Sequence, residues 1–238
     1  MTETGEPAEH PFGGAWTELK LRAISDYLSF YTKAVQHRPS TETPFQKWYI
    51  DAFAGTGERT EECTVGGLLD GEPTRRERFN LEGSARRALK VEPPFQHYVF
   101  IEANQRRFRA LEKLRLEFSD QDIHCLCGDA NAELEKLFAS SPWTKGSPQS
   151  SLQRAVVFLD PYGMNVRRQT LKLLAATKRV DVWYLFPLHA ALRQLAHKHG
   201  AIDVTKRAAL TEVFELPWNN PAVANVGARL VIGGKRFD

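Results

Sequence analysis

Short apolar runs alternate with stretches of helical periodicity along most of the chain. The runs are rich in β-branched and aromatic residues, and each ends in an acidic residue or a turn: "KWYIDAF", "HYVFIEA", "IHCLCGD", "AVVFLDP" and "VDVWYLF". Runs that are apolar on both faces suit the interior of a parallel sheet flanked by helices. The pattern therefore predicts parallel strands at these positions.

The segments between the runs read as helices. An amphipathic helix is predicted from Thr17, which can cap it, because apolar residues recur at spacings of three and four at Leu21, Ile24, Leu28, Tyr31 and Val35. Further helices are predicted over residues 84–90, 104–118, 131–139 and 168–177. Alternating strands and helices predict an α/β fold with a doubly wound, mostly parallel, Rossmann-like sheet.

An N-terminal arm and one inserted segment stand apart from this alternation. Residues 1–15 read as a disordered arm, which leaves one domain over residues 16–238. Residues 58–82 carry Gly66, Gly67, Gly71 and Pro73 and are predicted to form a long inserted loop. Loops of this length are usually functional lids or disordered segments, so a lid is expected here.

Composition narrows the class of protein. The chain has 238 residues, of which 42% are hydrophobic, enough for one substantial core. No apolar run is long enough to span a bilayer, and the acidic, Gly/Pro-rich N-terminus is unlike a signal peptide, so a soluble cytoplasmic protein is expected. Cys63, Cys125 and Cys127 are odd in number, which favours reduced thiols.

Charge alone does not indicate a nucleic-acid-binding protein. The 32 basic and 29 acidic residues give a net charge of +3. Basic residues do cluster, at positions 75–78, 86–90, 106–109 and 167–168. Any one of these clusters alone is interpreted as a solvated helix face or cap.

The stretch "YIDAFAGTG" at residues 49–57 is the first candidate binding motif. Gly55 and Gly57 permit unusual backbone angles and the close approach of a ligand. In an open parallel sheet, ligands bind beyond the carboxyl ends of the strands. Those ends carry the acidic residues Asp51, Glu102, Asp129 and Asp160.

Three ligands could use this turn. A P-loop requires Gly-Lys-Ser/Thr, whereas residues 57–60 are Gly-Glu-Arg-Thr, so a phosphate-binding P-loop is excluded. A dinucleotide is disfavoured because Thr60 replaces the third small residue and Glu58 adds negative charge beside phosphates. S-adenosylmethionine carries no phosphate and is cationic at its methionine end, which Asp51 complements.

Roles for the other residues follow from that cofactor. Glu102 is predicted to accept hydrogen bonds from the ribose hydroxyls, Asp129 from the adenine amino group, and Phe53 is predicted to contact the cofactor through its ring. The alternative for each carboxylate is a helix N-cap after a strand, a position that Asp favours.

The stretch "VVFLDPYGM" is the second candidate motif. Asp160 and the Pro161 carbonyl could hold an exocyclic amine while its nitrogen attacks a methyl group, and Tyr162 could stack on the base. The stretch resembles the Asp-Pro-Pro-Tyr signature of amino-group methyltransferases, although only one proline precedes Tyr162. The alternative is a turn in which Asp160 caps a helix and Tyr162 fills a gap.

No metal site is predicted. His197 and His199 do not face one another on a helix, and with His189 they read as surface or helix-end residues.

The chain also resembles the three-Cys-motif partner proteins. The resemblance covers residues 16–190 in order through "TELKLRAISDYLSFY", "YIDAFAGTG", "EGSARRAL", "YVFIEAN", "GDAN", "VVFLDPYGMNV" and "VDVWYLFPL". It implies a class I methyltransferase-like fold, a helix carrying Thr17 and Lys20 over the cofactor end of the sheet, and a helix beginning at Gly83 and Ser84. It also implies a reaction mouth lined by residues 160–163, a companion protein with a three-Cys iron–sulfur motif and radical-type chemistry, and more strands and a helix after the present C-terminus.

The leading hypothesis is an S-adenosylmethionine-dependent methyltransferase acting on a nucleobase amino group in nucleic acid. The alternative is a non-catalytic or cofactor-binding partner subunit of the iron–sulfur companion. A nicotinamide-dependent oxidoreductase ranks third.

Overall fold

The computed structural model describes residues 15–67, 72–144, 146–147, 149–188, 190, 231–232 and 235–236. The predicted arm up to residue 14, the three histidines considered above and the expected C-terminal additions all lie outside these residues. The division into an arm and one domain over residues 16–238 therefore stays a prediction.

Helices and strands alternate as the apolar pattern predicts. The helices are α1 Ala15–Val35, α2 Ser84–Leu89, α3 Gln105–Glu117, α4 Ala130–Ala139 and α5 Arg168–Thr177. The strands are β1 Gln46–Asp51, β2 Glu58–Gly67, β3 Glu72–Glu82, β4 His97–Glu102, β5 Ile123–Cys127, β6 Gln153–Leu159, β7 Val180–Tyr184, β8 Val231–Ile232 and β9 Lys235–Arg236. Helix α1 begins before Thr17, so Thr17 lies inside the helix instead of capping it.

Five of the strands form one parallel sheet in the order β5-β4-β1-β6-β7. Nearly every residue of its central strands is buried. Because successive side chains point to opposite sides of the sheet, these strands are buried on both faces. Tyr49 and Phe100 lie with apolar residues of α1, α2 and α3, whereas Ile50 and Ile101 lie with those of α4 and α5. Helices therefore cover both faces, and the predicted doubly wound α/β fold is confirmed.

The segment after the glycine turn differs from the sequence prediction. Strands β2 and β3 pair antiparallel, from Glu58 opposite Glu82 to Gly67 opposite Glu72, and form a separate two-stranded sheet. The inserted segment is thus a β-ribbon where a loop was predicted. Its two ends meet at the start of α2, so it extends from the main sheet between β1 and α2.

The strand order places a switch point beside β1. The chain proceeds from β1 to β4 and β5 on one side, then returns to β6 and β7 on the other side. In sheets of this kind, a crevice opens at the carboxyl ends where the order reverses. That crevice lies between β1 and β6. In the described part of the chain, no helix has the length and apolar character needed to cross a membrane.

Candidate active site

The strand register brings the four predicted carboxylates to one edge of the sheet. Asp51 is level with Phe100 of β4 and Phe158 of β6, so Glu102 and Asp160 each follow two residues further along a neighbouring strand. Glu102 is in turn level with Cys127 of β5, two residues before Asp129. The carboxylates therefore follow four adjacent strands, and Asp51 and Asp160 flank the switch point.

The glycine turn is anchored on both sides of β1. The Ala52 N–H donates to the Phe158 carbonyl at 3.1 Å, and the Ala54 N–H donates to the Ile101 carbonyl at 3.0 Å. The backbone then turns through positive φ angles of 65° at Gly55 and 74° at Gly57. These two hydrogen bonds hold the turn at the carboxyl edge of the sheet.

The two glycines meet different surroundings. A Cβ atom on Gly55 would have no neighbour within 4 Å, so the backbone is open at that point. A Cβ atom on Gly57 would lie 2.6 Å from Leu114 Cδ2 of α3. The structure therefore assigns Gly57 to helix packing and leaves Gly55 as the glycine that a ligand could approach. The sequence prediction gave both glycines the same role.

Asp51 is fully buried and its carboxylate has two donors. Oδ1 accepts the Phe53 N–H at 3.1 Å, and Oδ2 accepts the Ser84 hydroxyl at 2.6 Å. Burial and, to a smaller extent, the negative charge of Asp160 raise the pKa of Asp51 to about 7, against the lowering effect of these two hydrogen bonds. Asp51 can therefore change its charge near neutral pH.

Phe53 is half-buried and packs against the apolar cluster that includes residues of α4 and α5. Its backbone N–H serves the Asp51 carboxylate. The ring consequently lies on the side of the sheet opposite α1, and its contact with a cofactor stays a prediction.

Glu102 is buried at the end of β4, with 6% of its surface exposed. Its Oε1 accepts the Asn104 N–H at 2.7 Å and lies 3.2 Å from Nη2 of Arg107. Asn104 caps α3 by accepting from the N–H groups of Arg106 and Arg107. Both described contacts of the Glu102 carboxylate use Oε1, which is compatible with a further acceptor role for Oε2.

Asp129 has the helix-capping role that is the alternative to its contact with adenine. Its Oδ1 accepts the Ala132 N–H at 3.1 Å, which caps α4, and Nη2 of Arg167 lies 3.8 Å away. The cap uses one carboxylate oxygen, and the predicted contact with adenine stays a prediction.

Asp160 forms an ion pair that connects β6 to α1. Lys20 Nζ lies 2.5 Å from Asp160 Oδ2, and the two side chains are only 20% and 30% exposed. The next residue, Pro161, is buried, whereas Tyr162 is 93% exposed. Tyr162 therefore does not fill a gap in the protein. The position of Lys20 agrees with the one implied by the family resemblance.

Asn131 is a supporting residue that the sequence prediction missed. Its buried Oδ1 accepts the Arg167 N–H and the Thr170 hydroxyl, both at 2.8 Å, and its Nδ2 donates to the Asn165 carbonyl at 2.8 Å. These bonds fix the loop that follows Asp160 onto α4. The signal in the sequence was the position of Asn131 on the buried face of α4, three residues before Leu134 and seven before Phe138.

The described residues include no group of three or more His, Cys, Asp or Glu side chains that could hold a metal ion. The Asp51 and Asp160 carboxylates instead face an ammonium group and hydroxyl and amide donors.

No family model matches the chain, and no curated protein matches it. Among solved structures, the chain is similar to protein LPL1258 from Legionella pneumophila str. Philadelphia 1, of family model DUF519, with 13% identity, a TM-score of 0.39, and coverage of 67% of this chain and 60% of that one. It is also similar to yhhF from Escherichia coli, which is named as a candidate methyltransferase, with 15% identity, a TM-score of 0.35, and coverage of 77% and 68%. The chain thus spans about three fifths of LPL1258.

Proposed function

We propose that this protein is an S-adenosylmethionine-dependent methyltransferase that modifies an exocyclic amine of a nucleobase in nucleic acid. One observation carries the proposal: the buried Asp51 carboxylate lies at the switch point beside a glycine turn whose Gly55 is open to a ligand. A buried carboxylate beside a turn that is not a P-loop would suit a cofactor that is positively charged and lacks phosphate.

The residues at the carboxyl edge fit such a cofactor. Asp51 would face its cationic methionine end, and Glu102 would accept hydrogen bonds from its ribose hydroxyls. Asp129 would lie toward the adenine, because it follows the strand beyond Glu102. The cofactor supplies an activated methyl group when bound.

Asp160 and Tyr162 would handle the second substrate. The Asp160 carboxylate and the Pro161 carbonyl would accept hydrogen bonds from the target amine and stabilise the positive charge that develops on its nitrogen. The exposed ring of Tyr162 offers a flat apolar surface on which an unpaired base could stack. The Lys20 ammonium keeps Asp160 paired before substrate arrives, so the amine would share or replace that contact.

Calorimetric titration with S-adenosylmethionine tests the proposal. The parent protein is expected to bind the cofactor, and Asp51→Asn is expected to bind it at least about tenfold more weakly, since a buried charge partner is lost. Asp120→Asn is the matched control, because Asp120 is exposed just before β5 begins, at the opposite edge of the sheet. Absence of binding at millimolar cofactor, or equal affinity in Asp51→Asn and the parent, would contradict the proposal.

A second candidate is a partner subunit that keeps the fold without catalysing methyl transfer. The Lys20–Asp160 ion pair favours it, because the carboxylate that should receive the amine already has a cationic partner. Its companion would be the iron–sulfur, radical-type protein implied by the resemblance to three-Cys-motif partner proteins. Recovery of a stoichiometric complex from the native host, together with no methyl transfer to bulk DNA or RNA, would favour this candidate over the enzyme.

A further inference from the structure

Helix α3 carries a row of exposed cationic side chains, formed by Arg106, Arg109 and Lys113. Their spacings of three and four place them on one side of the helix. That side is turned away from Leu111 and Leu114, which are buried against the sheet. Within the described part of the chain, none of the three side chains forms a hydrogen bond or an ion pair.

The neighbouring basic side chains behave differently. Arg86 pairs with Glu58 and Glu117, and Arg87 pairs with Glu18. On α3 itself, Arg107 pairs with Glu102, and Arg115 pairs with Glu112. All of these pairs neutralise carboxylates, and those of Arg86, Arg87 and Arg107 also join different elements. The row on α3 does neither, so the fold gives no account of its charge.

The row begins at the candidate active site. Arg106 lies in the first turn of α3, four residues after Glu102 at the carboxyl edge of the sheet. From Arg106 to Lys113 the helix rises about 10 Å. A ligand contacting all three side chains would therefore have to carry negative charge repeatedly along its length, starting beside the end of β4 at the carboxyl edge of the sheet.

We propose that the row formed by Arg106, Arg109 and Lys113 is the docking surface for the phosphate backbone of the nucleic-acid substrate. This inference rests on the proposed function and adds the direction in which the substrate lies. A polymer of phosphates matches a line of unneutralised arginine and lysine side chains. An acidic protein would be expected to meet apolar anchors as well, whereas Leu116, 70% exposed, is the one large apolar side chain exposed on the described α3 surface.

The test is fluorescence anisotropy with a labelled single-stranded RNA and a DNA of the same sequence, measured over a range of salt concentrations. The variant Arg106→Gln/Arg109→Gln/Lys113→Gln removes the row. The control Lys33→Gln/Lys172→Gln/Lys178→Gln removes the same charge from exposed side chains of α1 and of the opposite face of the sheet. Helix content and cofactor titration are measured for each protein.

Loss of the row is expected to weaken binding about tenfold or more at moderate salt, and to reduce the slope of log K against log salt by about 2, as expected for three lost phosphate contacts to a single strand. The control should bind like the parent. Equal affinity and slope in the row variant, or no binding by the parent, would overturn the inference. Row-dependent binding of polyglutamate as tight as that of RNA would also overturn it, in favour of an acidic protein partner.

The outcomes separate this inference from the proposed function. Row-dependent RNA binding without cofactor binding would support the surface and contradict the methyltransferase. Cofactor binding with unchanged nucleic-acid affinity in the row variant would contradict the surface alone.

Discussion

The Ser84 hydroxyl donates a 2.6 Å hydrogen bond to the Asp51 carboxylate, joining two residues that are 33 positions apart. The β2–β3 ribbon lies between these two residues in the chain. Beside this bond, the Gly83 N–H donates to the Gly57 carbonyl at 3.0 Å. The end of β1 and the start of α2 are thus held together as if the ribbon were absent, and the Asp51 carboxylate is fixed at the point where the ribbon leaves the sheet.

The buried Asp51 should make stability depend on pH. Its pKa is about 7 in the folded protein and about 3.9 in an unfolded chain. Between these values the folded state binds more protons, so the stabilisation from this group is full below about pH 4 and is lost as pH rises through about 7. Asp51→Asn cannot ionise and should therefore gain stability relative to the parent over this interval.

Urea denaturation of both proteins at several pH values measures this difference. The gain in the free energy of unfolding should be at most about 1.4 kcal/mol per pH unit. Asp120→Asn serves as the control and should track the parent throughout. Parallel pH profiles for the parent and Asp51→Asn would show that the pKa of Asp51 is the same in the folded and unfolded states, which would contradict this prediction.

The surroundings of Asp51 can be changed in opposite directions. Asp160→Asn removes a negative charge that raises the pKa of Asp51, and Ser84→Ala removes a hydrogen bond that lowers it. The pKa should therefore fall in the first variant and rise in the second. Carbon-13 NMR of labelled aspartate carboxyl groups measures both shifts directly. Movement in the same direction in both variants would contradict the assigned causes.

Gly55 and Gly57 should respond differently to alanine. Gly57→Ala combines a strained positive φ angle with a Cβ only 2.6 Å from Leu114, and should destabilise the protein by about 2 kcal/mol or more. Gly55→Ala meets no atom within 4 Å, so it should cost only about 1 kcal/mol from its backbone strain. The main effect of Gly55→Ala should be weaker cofactor binding, because the added methyl group would occupy the open space that a cofactor would use.

Denaturation and cofactor titration of the two variants separate these effects. The expected result is a stability loss concentrated in Gly57→Ala and an affinity loss concentrated in Gly55→Ala. If Gly55→Ala bound the cofactor like the parent, the open side of the turn would not be the cofactor side.

The main sheet was predictable because its central strands are buried on both faces and all five strands read as largely apolar runs. Strand β6, for example, contains the run "AVVFL" and pairs in parallel with β1. The β2–β3 ribbon was not predictable in the same way. Its sequence is rich in charged residues, Gly and Thr, and a two-stranded ribbon is held by backbone pairing, which leaves no apolar signature.

The site was predictable only in part for a similar reason. Acidic residues at strand ends fall at one edge of a parallel sheet, so the places of Asp51, Glu102 and Asp160 followed from the strands. Long-range partners do not follow. Nothing local indicates that Lys20 reaches Asp160 across 140 positions, or that Gly57 packs on α3 through Leu114.

The Lys20–Asp160 ion pair should contribute measurably to the docking of α1. Its side chains are mostly buried, so a double-mutant cycle with Lys20→Met and Asp160→Asn should give a coupling energy of about 1 to 2 kcal/mol. The exposed pair of Arg115 and Glu112 on α3 is the control, and its coupling should be about 0.5 kcal/mol or less. Similar coupling in both pairs would show that the Lys20 contact is no stronger than a surface ion pair.

Asn131 should hold the loop that follows Asp160. In Asn131→Ala, the Arg167 N–H and the Thr170 hydroxyl lose their acceptor and the Asn165 carbonyl loses its donor. Leaving such groups unsatisfied should destabilise the protein by about 2 to 4 kcal/mol. Because the loop is released before the rest of the fold, the Arg167 amide should exchange with solvent much faster in this variant than in the parent.

Hydrogen exchange resolved at single amides measures the release of the loop. Asn104→Ala is the matched control: it removes a helix cap at the same edge of the sheet and should cost about 1 kcal/mol. That variant should leave exchange at Arg167 unchanged. If Asn131→Ala destabilised the protein while the Arg167 amide kept its parental protection, the bond between these residues would not be what positions the loop carrying Pro161 and Tyr162.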